Sequence, residues 1–335
     1  VTGPAILPAR PTLQTAERAI LAGVLVFALG FAAAGFLGGG RQAWAIVLRV
    51  PPRIIPVLLA MSLLNYFMRG ARWLLFARAL RLDVPPARNA LYYVAGFAMT
   101  TTPGKMGEIV RLYLLNRFHG CPYDRSAALL IADRLSDGLA TTLVVALTIA
   151  AFAHLPAGAA GAALFAALLV TICLRPSLLL AVTDGLFRRL HRWPRLFVRF
   201  RRAVRGLQRL AHPRVFAAAL VLGAVGWSSE GLSFYVLLHA LGVALAPAAC
   251  VFIFAFAMLV GAASVLPGGL GSTEATMIGL LSLQGVPFET AVVATGVVRV
   301  TTLWFAVGLG LVALPAALGG AARVVPAREE ERVLS

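Results

Sequence analysis

The sequence predicts an all-α integral membrane protein of six full spans plus two re-entrant helical hairpins arranged as an inverted repeat, and three observations lead there. Of 335 residues, 60% are hydrophobic and 13% charged, with a mean hydropathy of +0.87. That is more apolar side chain than a soluble core of this size can hide. Several apolar runs reach the roughly 20 residues needed to cross a hydrocarbon core of about 30 Å. Two further runs are broken near the middle by Pro-Gly pairs, Pro103-Gly104 and Pro267-Gly268, in matching surroundings.

Residues 1–18 carry Pro4, Pro8 and Pro11 without a cleavable-signal layout and are expected to be a cytoplasmic segment. The first span then runs from Ala19 to Leu37. It is followed by Ile54 to Leu80, interrupted by Arg69 and Arg72, and by Ser126 to Phe152, Ala157 to Leu174, Val215 to Leu241 and Thr290 to Leu318. Together they make one polytopic membrane domain over residues 19–318, with a cytoplasmic tail over 319–335. The broken runs are Ala90 to Leu115 and Ala248 to Leu283. A Pro-Gly pair stops a helix and turns the chain, and broken backbone at membrane depth is tolerated only where protein or a wet cavity satisfies it. A hairpin of two half-helices is expected at each place, with a single kinked span as the alternative.

Lys and Arg number 30 against 13 Asp and Glu. In a soluble chain such an excess suggests nucleic acid; here it orients the protein and meets anionic headgroups, so no nucleic-acid partner is expected. The arginine-rich loop over residues 175–214 belongs in the cytoplasm, and with non-crossing hairpins both termini fall there too. Arg41, Arg49 and Arg53 then sit in a loop on the outer side, in conflict with the rule. Leu190, Trp193, Leu196, Phe197 and Phe200 among the loop arginines allow an amphipathic helix against headgroups, or simply a solvated orientation signal. Cys121, Cys173 and Cys250 have no CxxC spacing and the histidines no HExxH pairing, so neither metal nor cofactor is expected.

Internal repetition organises the rest. Pro-Gly-Lys-Met-Gly (103–107) matches Pro-Gly-Gly-Leu-Gly (267–271), each soon followed by a glutamate, Glu108 and Glu274. Downstream, Pro122-Tyr123-Asp124 aligns with Pro287-Phe288-Glu289, which sets Arg134 on Arg299. Upstream, Arg69-Gly70 aligns with Glu230-Gly231 and Trp73 with Phe234. Repeat one covers residues 54–153 and repeat two residues 214–318, and the odd number of spans between the hairpins inverts the second unit. Inverted repeats with broken helices in matching places point to alternating access, with the site between the repeats.

Charges inside or beside apolar segments are Arg69, Arg72, Lys105, Glu108, Arg111, Asp133, Arg134, Asp137, Glu230, Glu274 and Arg299. Each is expensive in a membrane unless paired or hydrated. Glu108 with Arg111 and Arg134 with Asp137 stand at i, i+3, and Asp133, Asp137 and Glu230 are expected in ion pairs that hold helix register. The cations outnumber the acids, which calls for an anionic ligand, and phosphate suits both Arg and Lys. Glycines 104, 107, 268, 269 and 271 could bring backbone N–H groups of half-helix N-termini to that anion, or serve tight packing. Glu108 and Glu274 suit the first turns of the following half-helices, as caps or as proton carriers. Lys105, the single lysine, marks the first tip as the headgroup site, whereas Gly268-Gly269, lacking a cation, pack against it. No nucleophile and base constellation is present, so the chain is not expected to be an enzyme.

TTPGKMGEIVRLYLL, followed by DRLSDGLA and LPGGLGSTEA, resembles the membrane domain of the lysylphosphatidylglycerol synthase and flippase family over nearly the whole chain, from Ile20 to Leu318. The resemblance implies an all-helical fold with two re-entrant elements that moves or handles aminoacylated or other anionic phospholipids across the bacterial inner membrane. Carried over residue by residue, the first signature is Pro103, Gly104, Lys105, Gly107, Glu108 and Arg111; the second is Pro267, Gly268, Gly269, Gly271 and Glu274, with Arg134 as the span arginine. Lys105 stands where arginine is more usual in the family. After Leu318 only residues 319–335 follow, so a membrane unit without the soluble aminoacyl-transferase domain is expected. Relatives also occur beside hopanoid and polyprenyl-linked glycan genes. The leading expectation is therefore a lipid translocase whose partners are anionic-headed membrane lipids, with phosphate on Lys105, Arg111, Arg134 and Arg299. The alternative is a non-transporting accessory of a lipid-synthesis enzyme.

Overall fold

A computed structural model of the chain describes residues 40–102, 106–149, 212–264 and 266–319, and among them every regular element is helical. Helix α1 (Gly40–Arg49) leads through a short 3₁₀ turn, Pro52–Ile54, into α2 (Ile55–Ala79). Helix α3 (Pro86–Ala95) continues as a 3₁₀ turn, Gly96–Met99, before α4 (Met106–His119) and α5 (Tyr123–Ile149). The second half repeats the order with α6 (Pro213–Ala240), α7 (Pro247–Ala263), the 3₁₀ turn Pro267–Gly269 and α8 (Ser272–Leu283). It ends with α9 (Phe288–Arg299), a π-helical turn over Val300–Trp304, and α10 (Phe305–Gly319).

Local sequence punctuates these helices at both ends. Proline stands in the first turn of α2, α3, α6 and α7, where its missing N–H is one that a helix start leaves unbonded anyway. Left-handed residues follow the ends of α2, α4, α6 and α8: Arg81, Gly120, Gly242 and Gly285, with φ of 54°, 60°, 80° and 77°. Behind them the chain closes with bonds such as Leu82 N–H to Ala77 O at 3.0 Å and Val243 N–H to Leu238 O at 2.9 Å. Arg81 is the one non-glycine residue with positive φ among those described, and it occupies the place that Gly242 holds in the second half.

Helices α2 and α6 share the broadest contact and form the centre. Around them the halves exchange partners. Helix α7 packs on α5, the last long helix of the first half, while α3 and its 3₁₀ turn pack on α10, the last helix of the second. Small residues permit the approach: a Cβ on Gly231 would sit 2.7 Å from Val251 Cα, and one on Gly310 would sit 2.6 Å from Phe97 C. Trp73 and Phe234, aligned by the repeat, are both fully buried, each in its own apolar cluster.

Among the described residues, three helical stretches are long and apolar enough to cross a membrane, Pro52–Ala79, Pro213–Ala240 and Phe288–Gly319. Helix α5 is 27 residues long but carries Asp133, Arg134 and Asp137. Both runs broken by Pro-Gly are two helices that lie against each other rather than one kinked rod, because α3 packs on α4 and α7 on α8. The outer loop expected around Arg41 and Arg49 is instead helix α1, packed on α9; its apolar positions, among them Trp44, Ile46 and Val47, recur at helical spacing. The spans expected at Ala19 to Leu37 and Ala157 to Leu174, and the basic loop up to residue 211, lie outside the described residues.

Candidate functional site

A cavity of about 340 Å³ lies where the two halves meet. Tyr66 and Arg69 of α2 and Trp227 and Glu230 of α6 line it from the centre. Phe97, Thr100 and Arg111 enter from the first broken segment, Met258, Gly268 and Gly269 from the second. Arg134 and Asp137 of α5 and Arg299 and Thr302 of the last helical stretch complete the wall.

One side is a buried charge lattice. Arg72 Nη2 reaches Asp133 Oδ1 at 2.7 Å and Asp137 Oδ1 at 2.8 Å. Arg69 Nη2 meets Asp137 Oδ2 at 2.8 Å, and Arg134 Nη2 meets Asp133 Oδ2 at 2.8 Å and Asp137 Oδ2 at 3.4 Å. Arg69 and Arg72 share one face of α2 by their i, i+3 spacing, as do Asp133 and Asp137 of α5 by i, i+4, so the two rows interlock. Gly223 of α6 leaves room for this lattice: a Cβ there would stand 2.9 Å from Arg72 Nη1. Trp227 closes it from the second half, donating Nε1–H to Asp137 Oδ1 at 3.1 Å, with the Arg69 guanidinium 5.1 Å from its ring centroid.

The opposite side is the second Pro-Gly turn, and here the sequence expectation needs correcting. Gly268-Gly269 does have a cation: Arg299 donates Nη2–H to Gly268 O at 2.8 Å and Nε–H to Glu274 Oε1 at 2.5 Å. Glu274 in turn accepts from Gly271 N–H at 2.6 Å, capping α8. Gly269 and Leu270 donate their N–H groups to Leu266 and Pro267 carbonyls. Those donors are spent inside the turn rather than offered to a ligand. Its path needs glycine, because Gly268, Gly269 and Gly271 have φ of 60°, 67° and 86°. Arg299 is thus a strut of the second tip while lining the same cavity as Arg111 and Arg134.

Arg111 is placed differently. It is 4% exposed, donates Nε–H to Tyr93 O at 3.1 Å, and lies 4.1 Å from the Tyr93 ring centroid and 5.4 Å from that of Trp73. Among the described side chains, which do not include that of Glu108 at i−3, no carboxylate pairs with it, and its Nη1 has no hydrogen-bond partner. Glu230, expected in a register-holding ion pair, makes none among the described residues and faces the cavity instead. Pro103, Gly104 and Lys105 lie outside the described residues, while Gly107 and Glu108 open α4.

Sequence reasoning passed over Tyr66 and Trp227. Both line the cavity, and each bonds to the other half: Tyr66 donates its O–H to Thr302 O, and Trp227 its indole N–H to Asp137 Oδ1. The register that pairs Arg69 with Glu230 also pairs Tyr66 with Trp227, and the one that pairs Arg134 with Arg299 pairs Asp137 with Thr302. Extending the upstream match by three residues finds them.

A family model described as "Lysylphosphatidylglycerol synthase TM region" matches residues 20–310. A protein of Methanothermobacter thermautotrophicus named "UPF0104 membrane protein" is 25% identical over 268 residues, 73% of this chain and 79% of its own. Another alignment to a protein of that name and organism is 24% identical over 328 residues, 87% of this chain and 89% of the relative. A shorter one is 38% identical over 92 residues, 28% of each chain.

Proposed function

The chain belongs to the lysylphosphatidylglycerol synthase transmembrane-region family, and on that premise we propose that it is an inner-membrane lipid translocase working by alternating access on an anionic or aminoacylated lipid. The carrying observation is Arg111, a buried guanidinium with no carboxylate partner among the described side chains, held by aromatic rings against a cavity between the halves. A buried cation without a counter-charge is expensive, and a lipid phosphate offers the charge and the hydrogen-bond acceptors that Arg111 lacks. In this assignment the phosphate sits on Arg111, with Arg134 and Lys105 nearby in sequence or space, and Arg299 supports the second tip. The acyl chains stay in lipid. The repeated order of elements and the exchange of partners between halves support two hairpins related by an inverted pseudo-twofold within the expected six spans, so that rocking one half against the other would move the headgroup.

Reconstitution into liposomes of defined lipid with a labelled anionic lipid in one leaflet tests this. Wild-type protein is expected to exchange label faster than empty liposomes, and Arg111→Ala to lose most of the gain. Equal rates in all three would exclude translocation. They would leave the non-transporting accessory, for which co-purification with a lipid-synthesis enzyme is the positive sign.

A further inference from the structure

Glu230 lies on α6, 4% exposed, in the wall of the central cavity. The other described acids around that cavity are engaged: Asp133 and Asp137 by Arg69, Arg72 and Arg134, and Glu274 by Arg299 and the Gly271 amide. Glu230 has neither hydrogen bond nor ion pair among the described residues. The charged and polar groups that share the cavity wall with it are Tyr66 and Arg69 of α2, Arg111 of α4, Arg134 and Asp137 of α5 and Arg299 of α9, and α7 contributes Met258 and Leu259. Both nearby guanidiniums, on Arg69 and Arg299, are bonded to other carboxylates.

An ionised carboxylate this deeply buried, without an ion pair of its own among the described residues, costs several kcal/mol, and such a group is neutralised instead. Protonation does this with one proton from cavity water and no change in the fold. The repeat adds a second route. Arg69 and Glu230 occupy matching positions of the two central helices and line the cavity together with Asp137, so Asp137 and Glu230 can compete for the Arg69 guanidinium as the halves move.

We propose that Glu230 is a proton-binding site, protonated while Arg69 is held by Asp137 and ionised when Arg69 swings to it, so that proton uptake and release accompany the rocking of the halves. Its consequence for transport rests on the translocase assignment; proton binding itself does not.

Infrared difference spectra of purified protein in lipid nanodiscs during pH titration test the site directly. The carbonyl stretch of a protonated carboxyl is expected in wild type at neutral pH, fading as pH rises. It should be lost in Glu230→Gln and present in Glu230→Asp. A wild-type spectrum without that band, or one unchanged by Glu230→Gln, overturns the proposal. In liposomes, a pH gradient is expected to change the wild-type rate and to leave Glu230→Gln unaffected. If the variant keeps the gradient dependence, or fails only with amine-bearing lipids, Glu230 is not the coupling site. If wild type moves no lipid, the translocase assignment fails and the infrared result still decides proton binding.

Discussion

Trp227 donates its indole N–H to Asp137 Oδ1 across the boundary between the two halves, at 3.1 Å. The matching pair, Tyr66 to the Thr302 carbonyl, runs the other way. Two bonds related by the repeat therefore tie each central helix to the last long stretch of the opposite half, both at the wall of the cavity. A motion of half against half has to stretch or exchange them. Replacing Tyr66 by Phe removes one bond at little change of shape and is expected to cost about 1 kcal/mol. Trp227→Phe removes the other. Thermal unfolding in detergent should show each loss, and a double variant tests whether the two bonds act together.

Arg111→Ala leaves an anion in the cavity without its buried guanidinium. A hydrogen bond to a charged group contributes about 1.5–3 kcal/mol, or on the order of 10- to 150-fold in affinity. Flip rates at limiting concentrations of labelled lipid should fall by that order. Arg111→Lys should recover only part, because the ammonium lacks the planar fork that rests on the Tyr93 ring.

Arg72 is fully buried between Asp133 and Asp137. Arg72→Met takes away their central cation, and breaking a buried pair costs about 3–5 kcal/mol. Low yield and a clearly lower melting temperature are expected. Arg69→Met should be milder, since the Arg69 side chain is 14% exposed and makes one of the links to Asp137.

Two glycines of α10 give opposite outcomes two residues apart. A Cβ at Gly310 collides with the backbone of Phe97 and Ala98, whereas one at Gly308 meets nothing within 4 Å. Gly308→Ala should be neutral or stabilise by about 0.5–1 kcal/mol through helix propensity. Gly310→Ala should force the first broken segment away from α10 and lower the melting temperature, with hydrogen exchange faster over residues 96–99.

Glu274→Gln weakens both links that shape the second tip, to Arg299 and to the Gly271 amide. Loss of an N-terminal cap costs about 1 kcal/mol, and exchange of the amides from Gly269 to Glu274 should quicken. If the tip exchanges as slowly as wild type, Arg299 has another way to hold it.

Much of the fold is legible in the sequence. Pro-Gly pairs break two apolar runs, and each run holds two packed helices; at the second, Pro267 cannot continue a helix and Gly268, at φ 60°, takes the left-handed turn that follows, while the first pair lies outside the described residues. Prolines at helix starts and left-handed residues after helix ends were equally local. Helix α1 was missed, since its arginines read as loop charge and its ten residues are too short for a span. Within the site, the interlocked rows of Arg69 and Arg72 with Asp133 and Asp137 follow from spacing once two helices are known to touch.

Which helices touch is not local. One-dimensional pattern determined that buried cations and acids exist, that they recur in two halves, and that the cations are in excess. Tertiary packing decided their pairing: Arg299 to Glu274 and the second turn, Arg111 to aromatic rings, Glu230 to no described partner. The physical reason is range. A helix turn is set by neighbours a few residues away, whereas the charge state and duty of a buried group depend on whichever helix lies within about 4 Å of it, and here each half receives its decisive neighbours from the other.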